Sequence, residues 1–253
     1  LFSGKGGLFH GFGLHLCVFS RNFEFPKETF KQAKTMKTDL QAIASCFALE
    51  GAIESIDSLG EGFINDTFII RTGAGTPDYI LQRKNKEVFP DVPAMMENIR
   101  KVTEHIRRRV VAEGGDPQRE AMTVIPTRDG ALCHLDPQGE YWAVSIFIDD
   151  TISYNKADSP ELARKGGEGI GRFQSQLADF DEPLAETIKG FHNIRHRFVQ
   201  WDEALKRDAA GRVKDLTTEI GWIESRRGEM LDFWSKVEDG TIPTRVTHND
   251  TKI

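Results

Sequence analysis

The sequence predicts an α+β fold in which an antiparallel sheet comes first and a mostly helical region follows. Between residues 52 and 148, short segments rich in β-branched and aromatic residues alternate with glycine turns, which is typical of strands joined by hairpins. Between residues 159 and 237, apolar residues recur at helical spacing. One long helical pattern interrupts the strands, so the first region is not purely β.

The chain has 253 residues, of which 39% are hydrophobic and 28% are charged, as is ordinary for a globular protein of one or two domains. Its net charge of −6 argues against a general nucleic-acid binder, which carries a basic excess. We interpret the basic run at 107–109 as a solvated helix face. No apolar run approaches the ~20 residues of a membrane-spanning helix, so we expect no membrane partner.

The three cysteines, Cys17, Cys46 and Cys133, are odd in number and lie far apart. Their spacing fits neither a zinc site nor a disulfide framework. A reducing compartment is the natural setting for such a chain, so we expect a cytoplasmic protein.

Residues 1–35 lack a clean helix or strand period, and we interpret them as a disordered leader outside the folded domains. A signal peptide is the alternative, but the histidines, the glycines and the lack of a small-residue cleavage site argue against it. Met36 is a credible initiator. The domains are then predicted at 36–148 and 149–253, and the first of them begins with an amphipathic helix at 39–47.

A hairpin follows this helix, and its turn carries the first candidate site residues, Gly60, Gly62, Asn65 and Thr67. Glycines let the backbone approach a bulky anion, and exposed N–H groups can hold phosphate oxygens. Asn65 and Thr67 add short polar side chains. The alternative is a plain hairpin whose turn happens to be rich in glycine.

A third strand is predicted at 79–83, and it ends in Arg83. The guanidinium fork can hold phosphate oxygens bidentately, so Arg83 is a candidate ligand for a nucleotide phosphate. The alternative is an ordinary strand-end arginine in water. A helix of about 20 residues follows Pro90, and its acids Glu97 and Glu104 are candidate partners of Arg83.

Further strand patterns at 123–127 and 141–148, the latter preceded by the short segment 131–134, bring the predicted sheet to five strands. The exit of the last strand, at 147–150, would be the hinge between the two predicted domains. A hinge there would offer backbone N–H and C=O groups to the edge of an adenine base.

Helical patterns dominate the second region. Ser159 is the predicted cap and Pro160 the first position of a helix that runs to about residue 177. Two more helices are predicted at 199–208 and 213–237.

His192 and His196 stand four positions apart, a spacing that can bind zinc on a helix. No glutamate lies between them in the required place and no third ligand is evident. We interpret them as surface or packing histidines, and we assign no metal ligand within the chain.

The last segment carries the sharpest motif. His248, Asp250 and Lys252 form His-x-Asp-x-Lys, which a short β-type run at 244–247 precedes, as at the start of a kinase-type catalytic loop. In such loops the Asp receives or orients the proton of the acceptor hydroxyl, and an Asn five residues later holds a metal ion. That Asn would fall beyond Ile253, so we expect a truncated chain that is inactive as it stands.

The segments together resemble the aminoglycoside/choline phosphotransferase superfamily, and within it the N-acetylhexosamine kinases that phosphorylate the anomeric hydroxyl. The segments that carry the resemblance are 47–51, 60–68, 79–83, 152–155, 196–198 and 245–252. The resemblance covers roughly residues 40–253, and His-Asn-Asp-Thr-Lys after Val-Thr is its most specific part.

This resemblance implies a protein-kinase-like bilobal fold, with an antiparallel-sheet N-lobe and a mostly helical C-lobe that is truncated. It implies ATP and Mg²⁺ as cofactors and an amino sugar or similar alcohol as substrate. It also implies Asp250 as catalytic base and Arg83 as the cation on the third strand that binds the nucleotide phosphates. It places the phosphate loop at 60–67. Two alternatives stay open: a phosphotransferase acting on an aminoglycoside or choline, and a non-catalytic nucleotide-binding protein.

Overall fold

The computed structural model describes residues 39–59, 64–152, 154 and 156–248. The predicted leader at 1–35 lies outside these residues, and so do Gly60, Gly62 and Asp250 of the predicted site. The predicted α+β class is confirmed, because an antiparallel sheet is followed by helices. In chain order the elements are α1 (Leu40–Ser45), β1 (Ile53–Ser58), β2 (Asp66–Thr72), β3 (Tyr79–Lys84), α2 (Val92–Ala112), α3 (Pro117–Glu120), β4 (Val124–Ile125), β5 (His134–Leu135), β6 (Tyr141–Ile146), α4 (Pro160–Gln176), α5 (Ile194–Arg207) and α6 (Thr217–Glu238).

The sheet has the strand order β1-β2-β3-β6-β4, and β5 pairs with β6 beside β4. Every pair is antiparallel. Five strands were expected, whereas the described part of the chain contributes six, because β4 and β5 are separate two-residue strands. The middle of the sheet is β3, which pairs with β2 on one side and with β6 on the other.

One face of the sheet packs against α1. Side chains alternate between the two faces of a strand, so Tyr79 and Leu81 of β3 share a face. The buried members of this core are Ile43, Ala44, Phe47, Ile70, Tyr79, Leu81, Trp142 and Val144. The predicted apolar stripe of α1 therefore does cover the sheet, and the Asp39 side chain caps the helix by accepting the N–H of Ala42.

The long helix α2 begins where the sequence indicates. Asp91 accepts the N–H of Ala94, and Pro93 stands in the first turn, where a missing N–H costs nothing. Apolar residues at helical spacing along α2 are buried, among them Met96, Ile99, Val102, Ile106 and Val110. The C-terminal half of α2 packs with Leu177 and Phe173 of the α4 region in a second core.

The basic run at the end of α2 is more than a solvated face. Arg107 donates to the hydroxyl of Thr123. Arg108 and Arg109 are exposed but lie 3.6 Å from carboxylate oxygens of Glu182 and Asp179. The segment after α4 is thus fastened along α2.

Helix α4 has the predicted cap, since Ser159 accepts the N–H of Leu162 and Pro160 is the first helical residue. Helix α5 begins at Ile194, five residues before the predicted start, because the Asn193 side chain caps it by accepting the N–H of His196.

The expected strand at 244–247 is absent from the described residues. These residues have β-type composition but make no ladder with any described strand, and a strand exists only through hydrogen bonds to a neighbour.

Two compact units divide the chain. One comprises the described residues up to Ala185 together with those from Val246 to His248, and the other comprises Glu186–Arg245. Helix α4 therefore belongs to the unit with the sheet, although the predicted lobe boundary lay before it, at 148/149. That boundary stays a prediction. None of the described helices is both long and apolar enough to span a bilayer.

Candidate active site

The described residues of the predicted phosphate loop have partners in β3 and in the turn after it. Asn65 accepts the N–H of Asn85 at 3.1 Å, which ties the loop exit to the turn after β3. Thr67 lies opposite Gln82 in the β2–β3 register and accepts a hydrogen bond from its side-chain amide at 3.2 Å. The Thr67 hydroxyl keeps its own proton, so it can still donate to an acceptor.

Arg83 lies opposite Asp66 in the same register and forms an ion pair with it. Its Nε is 2.7 Å from Asp66 Oδ2, and Nη2 donates to the same oxygen. The side chain is 37% exposed, so water screens this pair. A phosphate would have to compete with the Asp66 carboxylate for the guanidinium.

The suggested partners of Arg83 on α2 are wrong. Glu97 and Glu104 bind Arg100, one helical turn away on the same helix, and both contacts are shorter than 3 Å. The hydrogen bond from Arg100 holds the pKa of Glu97 below its ordinary value, although burial raises it. Residues at i,i+3 and i,i+4 are neighbours on a helix surface, and this local geometry prevails.

A second cation, Lys84, follows Arg83 directly and occupies the opposite face of β3. Its side chain is only 8% exposed. The ammonium donates to Gln82 Oε1 at 2.6 Å. Since Gln82 also donates to Thr67, a chain of polar groups crosses from Lys84 to β2. Burial holds the pKa of the nearby Cys133 thiol above its ordinary value, although the charge of Lys84 lowers it.

Lys84 was missed by reasoning from the sequence, although the signal was present. Tyr79 and Leu81 are apolar positions of the α1-covered face, and period-two alternation puts Arg83 on that same face. Lys84 then falls on the other face, which α1 does not cover. A strand-end lysine buried to this degree is unusual unless a partner or ligand compensates its charge.

The predicted hinge is fixed at its entrance. The N–H of Phe147 donates to the carbonyl of Asp78 at 2.8 Å. Among the described residues, no hydrogen bond uses the N–H of Ile148 or Asp149. The role of the hinge in binding an adenine edge stays a prediction.

The residues that lead into the catalytic motif pack against the second core. Val246 packs against the α2–α4 cluster, and the ring of His248 meets Phe173 edge-on with the centroids 6.1 Å apart. The Nδ1 atom of His248 is buried and has no hydrogen-bond partner among the described residues. The compact unit that carries the sheet thus also carries the lead-in to Asp250.

No group of three histidine, cysteine, aspartate or glutamate side chains that could hold a metal ion occurs in the described part of the chain. Mg²⁺ stays a prediction.

A family model and a solved structure are similar to the chain. A sequence model of the phosphotransferase enzyme family matches residues 55–253, which is most of the chain. Among solved structures, spectinomycin phosphotransferase APH(9)-Ia in complex with ADP and spectinomycin has a TM-score of 0.32 and 13% sequence identity. The alignment covers 71% of this chain and 58% of that one, so the chain spans little more than half of that structure.

Proposed function

Because the chain belongs to the phosphotransferase enzyme family, we propose that it transfers the γ-phosphoryl group of ATP to a hydroxyl group of a small molecule. The observation that carries this proposal is the position of the residues that lead into the catalytic motif. Val246 and His248 pack on the compact unit that also carries the β1–β2 hairpin and the hinge. Phosphoryl transfer depends on positioning, so a hinge and a lead-in to the catalytic motif on one compact unit support the proposal.

In the proposed step, the Asp250 carboxylate accepts or orients the proton of the acceptor hydroxyl. The acceptor oxygen forms a bond to the γ-phosphorus, and the bond from that phosphorus to the bridging oxygen of ADP breaks. Mg²⁺, when bound, would neutralise charge on the phosphates. The chain's own contribution is to place the base, the hinge and a cation around the nucleotide.

We further propose that the acceptor is the anomeric hydroxyl of an N-acetylhexosamine. The support is the His-Asn-Asp-Thr-Lys motif and the order of the other segments that resemble that branch. The test is ATP consumption by the natural protein with N-acetylglucosamine, N-acetylgalactosamine, choline and an aminoglycoside in parallel. Turnover with choline or the aminoglycoside alone would contradict the sugar assignment, and ATP binding without any turnover by the full-length natural protein would contradict the enzyme assignment.

Asp250→Ala tests the role of the base. We expect a loss of turnover of about 10²–10⁴-fold, because a positioned general base contributes that much. Binding of a fluorescent adenine nucleotide should stay close to that of the natural protein, because Asp250 is assigned to the acceptor hydroxyl. Near-normal turnover would remove Asp250 from the mechanism. Lys214→Ala, in the short turn before α6, is the control.

The phosphate cation is tested by Arg83→Ala and Lys84→Ala, measured side by side. The two side chains occupy opposite faces of β3, so a single phosphate site can use one of them. Under the Arg83 assignment, Arg83→Ala raises the KM for ATP about tenfold or more, since hydrogen bonds to charged groups contribute about 1.5–3 kcal/mol. The KM for the sugar should change little.

A matched control is Lys86→Ala, which removes an exposed cation bound to Glu140 near the same strand end. If Lys84→Ala weakens ATP binding and Arg83→Ala behaves like this control, the phosphate cation is Lys84 and the Arg83 assignment is wrong. Thermal midpoints of all three variants separate lost binding from lost folding.

A further inference from the structure

Arg119 reaches from the four-residue helix α3 to the hinge and holds one residue there at two points. Its Nη1 lies 3.3 Å from Asp149 Oδ1, and its Nη2 donates to the backbone carbonyl of Asp149 at 3.2 Å. The two atoms are the prongs of one planar fork. A contact that includes the main-chain carbonyl fixes the peptide plane, whereas a contact to the carboxylate alone would not.

The hinge has a backbone that needs such support. Asp150, the next residue, has φ of 49°. This value lies in the left-handed region, which residues other than glycine rarely adopt. Conformations of this kind persist where surrounding contacts determine them. Upstream, the N–H of Phe147 is bound to Asp78. Arg119 is therefore the anchor at the exposed end of the hinge, opposite the anchor at its entrance.

Arg119 is itself mounted on a braced element. The backbone of α3 is capped by Asp116, whose side chain accepts the N–H of Gln118. Glu120, almost fully buried, accepts the N–H of Asp116 with Oε1 at 2.9 Å. Its Oε2 lies 2.5 Å from Arg172 of α4, as an ion pair rather than a well-directed hydrogen bond.

Gly115, just before this helix, lies close to the side chain of Glu120. A Cβ built on Gly115 would lie 2.5 Å from Glu120 Oε1, so a larger residue there would displace this carboxylate. The hinge contact is thus connected through Arg119, Glu120 and Arg172 to α4.

We propose that Arg119 is a positioning residue for nucleotide recognition: it holds the hinge in the conformation that presents the N–H groups of Ile148 and Asp149 to the base. This inference rests on the proposed function, in which the hinge reads the adenine edge. Arg119 acts through the backbone of Asp149 and needs no contact with the ligand. A hinge that is competent a tenth of the time would bind nucleotide about tenfold more weakly.

The experiment compares the natural protein with Arg119→Ala and Arg119→Lys. Two probes are used: adenosine, which has a base and no phosphate, and tripolyphosphate, which has phosphates and no base. Each displaces a fluorescent adenine nucleotide from the protein. We expect Arg119→Ala to weaken adenosine binding about tenfold and to leave tripolyphosphate unchanged. Arg119→Lys should recover only part of the loss, because an ammonium lacks the planar fork.

Arg164→Ala is the matched control, since the ion pairs that Arg164 forms with described residues, Glu161 and Glu168, lie along its own helix α4. It should leave both probes unchanged. Equal weakening of adenosine and tripolyphosphate by Arg119→Ala would mean general damage and would overturn the inference. Unchanged adenosine binding would overturn it as well. Failure of the natural protein to bind any adenine nucleotide would instead contradict the proposed function.

Discussion

The sheet-bearing unit and the helical unit at 186–245 are stabilised in different ways. In the first, large side chains are fully buried around β3 and α1, among them Phe47, Tyr79 and Trp142. In the second, Phe198 is the only described buried apolar side chain, and α6 buries no residue among those described. Apolar burial stabilises a fold by far more than exposed ion pairs do. The first unit should therefore be much the more resistant to local unfolding.

The second unit is instead held by polar contacts between α5 and α6. Arg227 lies over the ring of Phe198, with 4.5 Å to its centroid, and binds Asp202 and Glu224. Arg195 binds Glu238 across the same helix pair. Such contacts fix the pairing of two helices but are screened by salt. The regular apolar spacing of α6 therefore predicts the length of the helix but not how deeply its side chains are buried.

The largest expected difference comes from two phenylalanines. Phe47 is 0% exposed and Phe233 is 57% exposed. We expect Phe47→Ala to lower the free energy of unfolding by about 3–5 kcal/mol, because it removes buried atoms and leaves a cavity. Phe233→Ala should change it by no more than about 0.5 kcal/mol. Urea unfolding followed by circular dichroism measures both, and equal losses would refute the contrast between the units.

A second contrast uses two tryptophans that each donate to a carboxylate at 2.8 Å: Trp142 to the buried Asp136 and Trp201 to the exposed Glu224. Asp136 is 5% exposed and also accepts the N–H groups of Gln138 and Glu140. We expect Asp136→Asn to destabilise the protein by about 2 kcal/mol, since hydrogen bonds to a charged group are lost. Glu224→Gln should barely change the thermal midpoint.

The hydrogen-bonded carboxyl of Asp136 also predicts how the stability of the protein responds to acid. Burial raises the pKa of Asp136, but the hydrogen bonds from Trp142, Glu140 and Gln138 outweigh it, so its pKa lies below the ordinary value. A carboxyl whose folded pKa is lowered stabilises the fold above its unfolded pKa, and this contribution is lost as pH falls through the folded pKa. The gap in thermal midpoint between the natural protein and Asp136→Asn should therefore shrink at about pH 3. If the gap in thermal midpoint stays constant as the pH falls, the loss of stability in Asp136→Asn comes from packing and not from the charge of Asp136.

The smallest effect is expected for Arg227→Ala. It removes the ion pairs with Asp202 and Glu224 and the stacking on Phe198, so amide hydrogens of α5 and α6 should exchange faster while those of β3 do not change. About 1 M sodium chloride should reduce the difference, because both carboxylates are exposed. Arg164→Ala serves as the control in the other unit. Faster exchange in β3 would mean that the two units unfold together.

The sequence by itself determined the elements whose signals are local. Asp39, Asp91 and Ser159 cap their helices through a main-chain N–H three residues ahead, and such contacts are readable from neighbouring letters. The apolar periods of α1, α2 and β3 predict their buried faces for the same reason. Where a local signal was misjudged, as at Asn193 or Lys84, it was nevertheless present in the sequence.

Only the tertiary structure decided which polar groups meet. Arg83 meets Asp66 across 17 positions of sequence, and Arg119 meets Asp149 across 30. Such pairs depend on strand register and on how a short helix is mounted, which no local pattern contains. Burial of α6 is likewise not a property of its own residues, since an apolar face is buried only where another element packs against it. The physical reason is the same in each case: contacts between distant residues follow from the packing of whole elements.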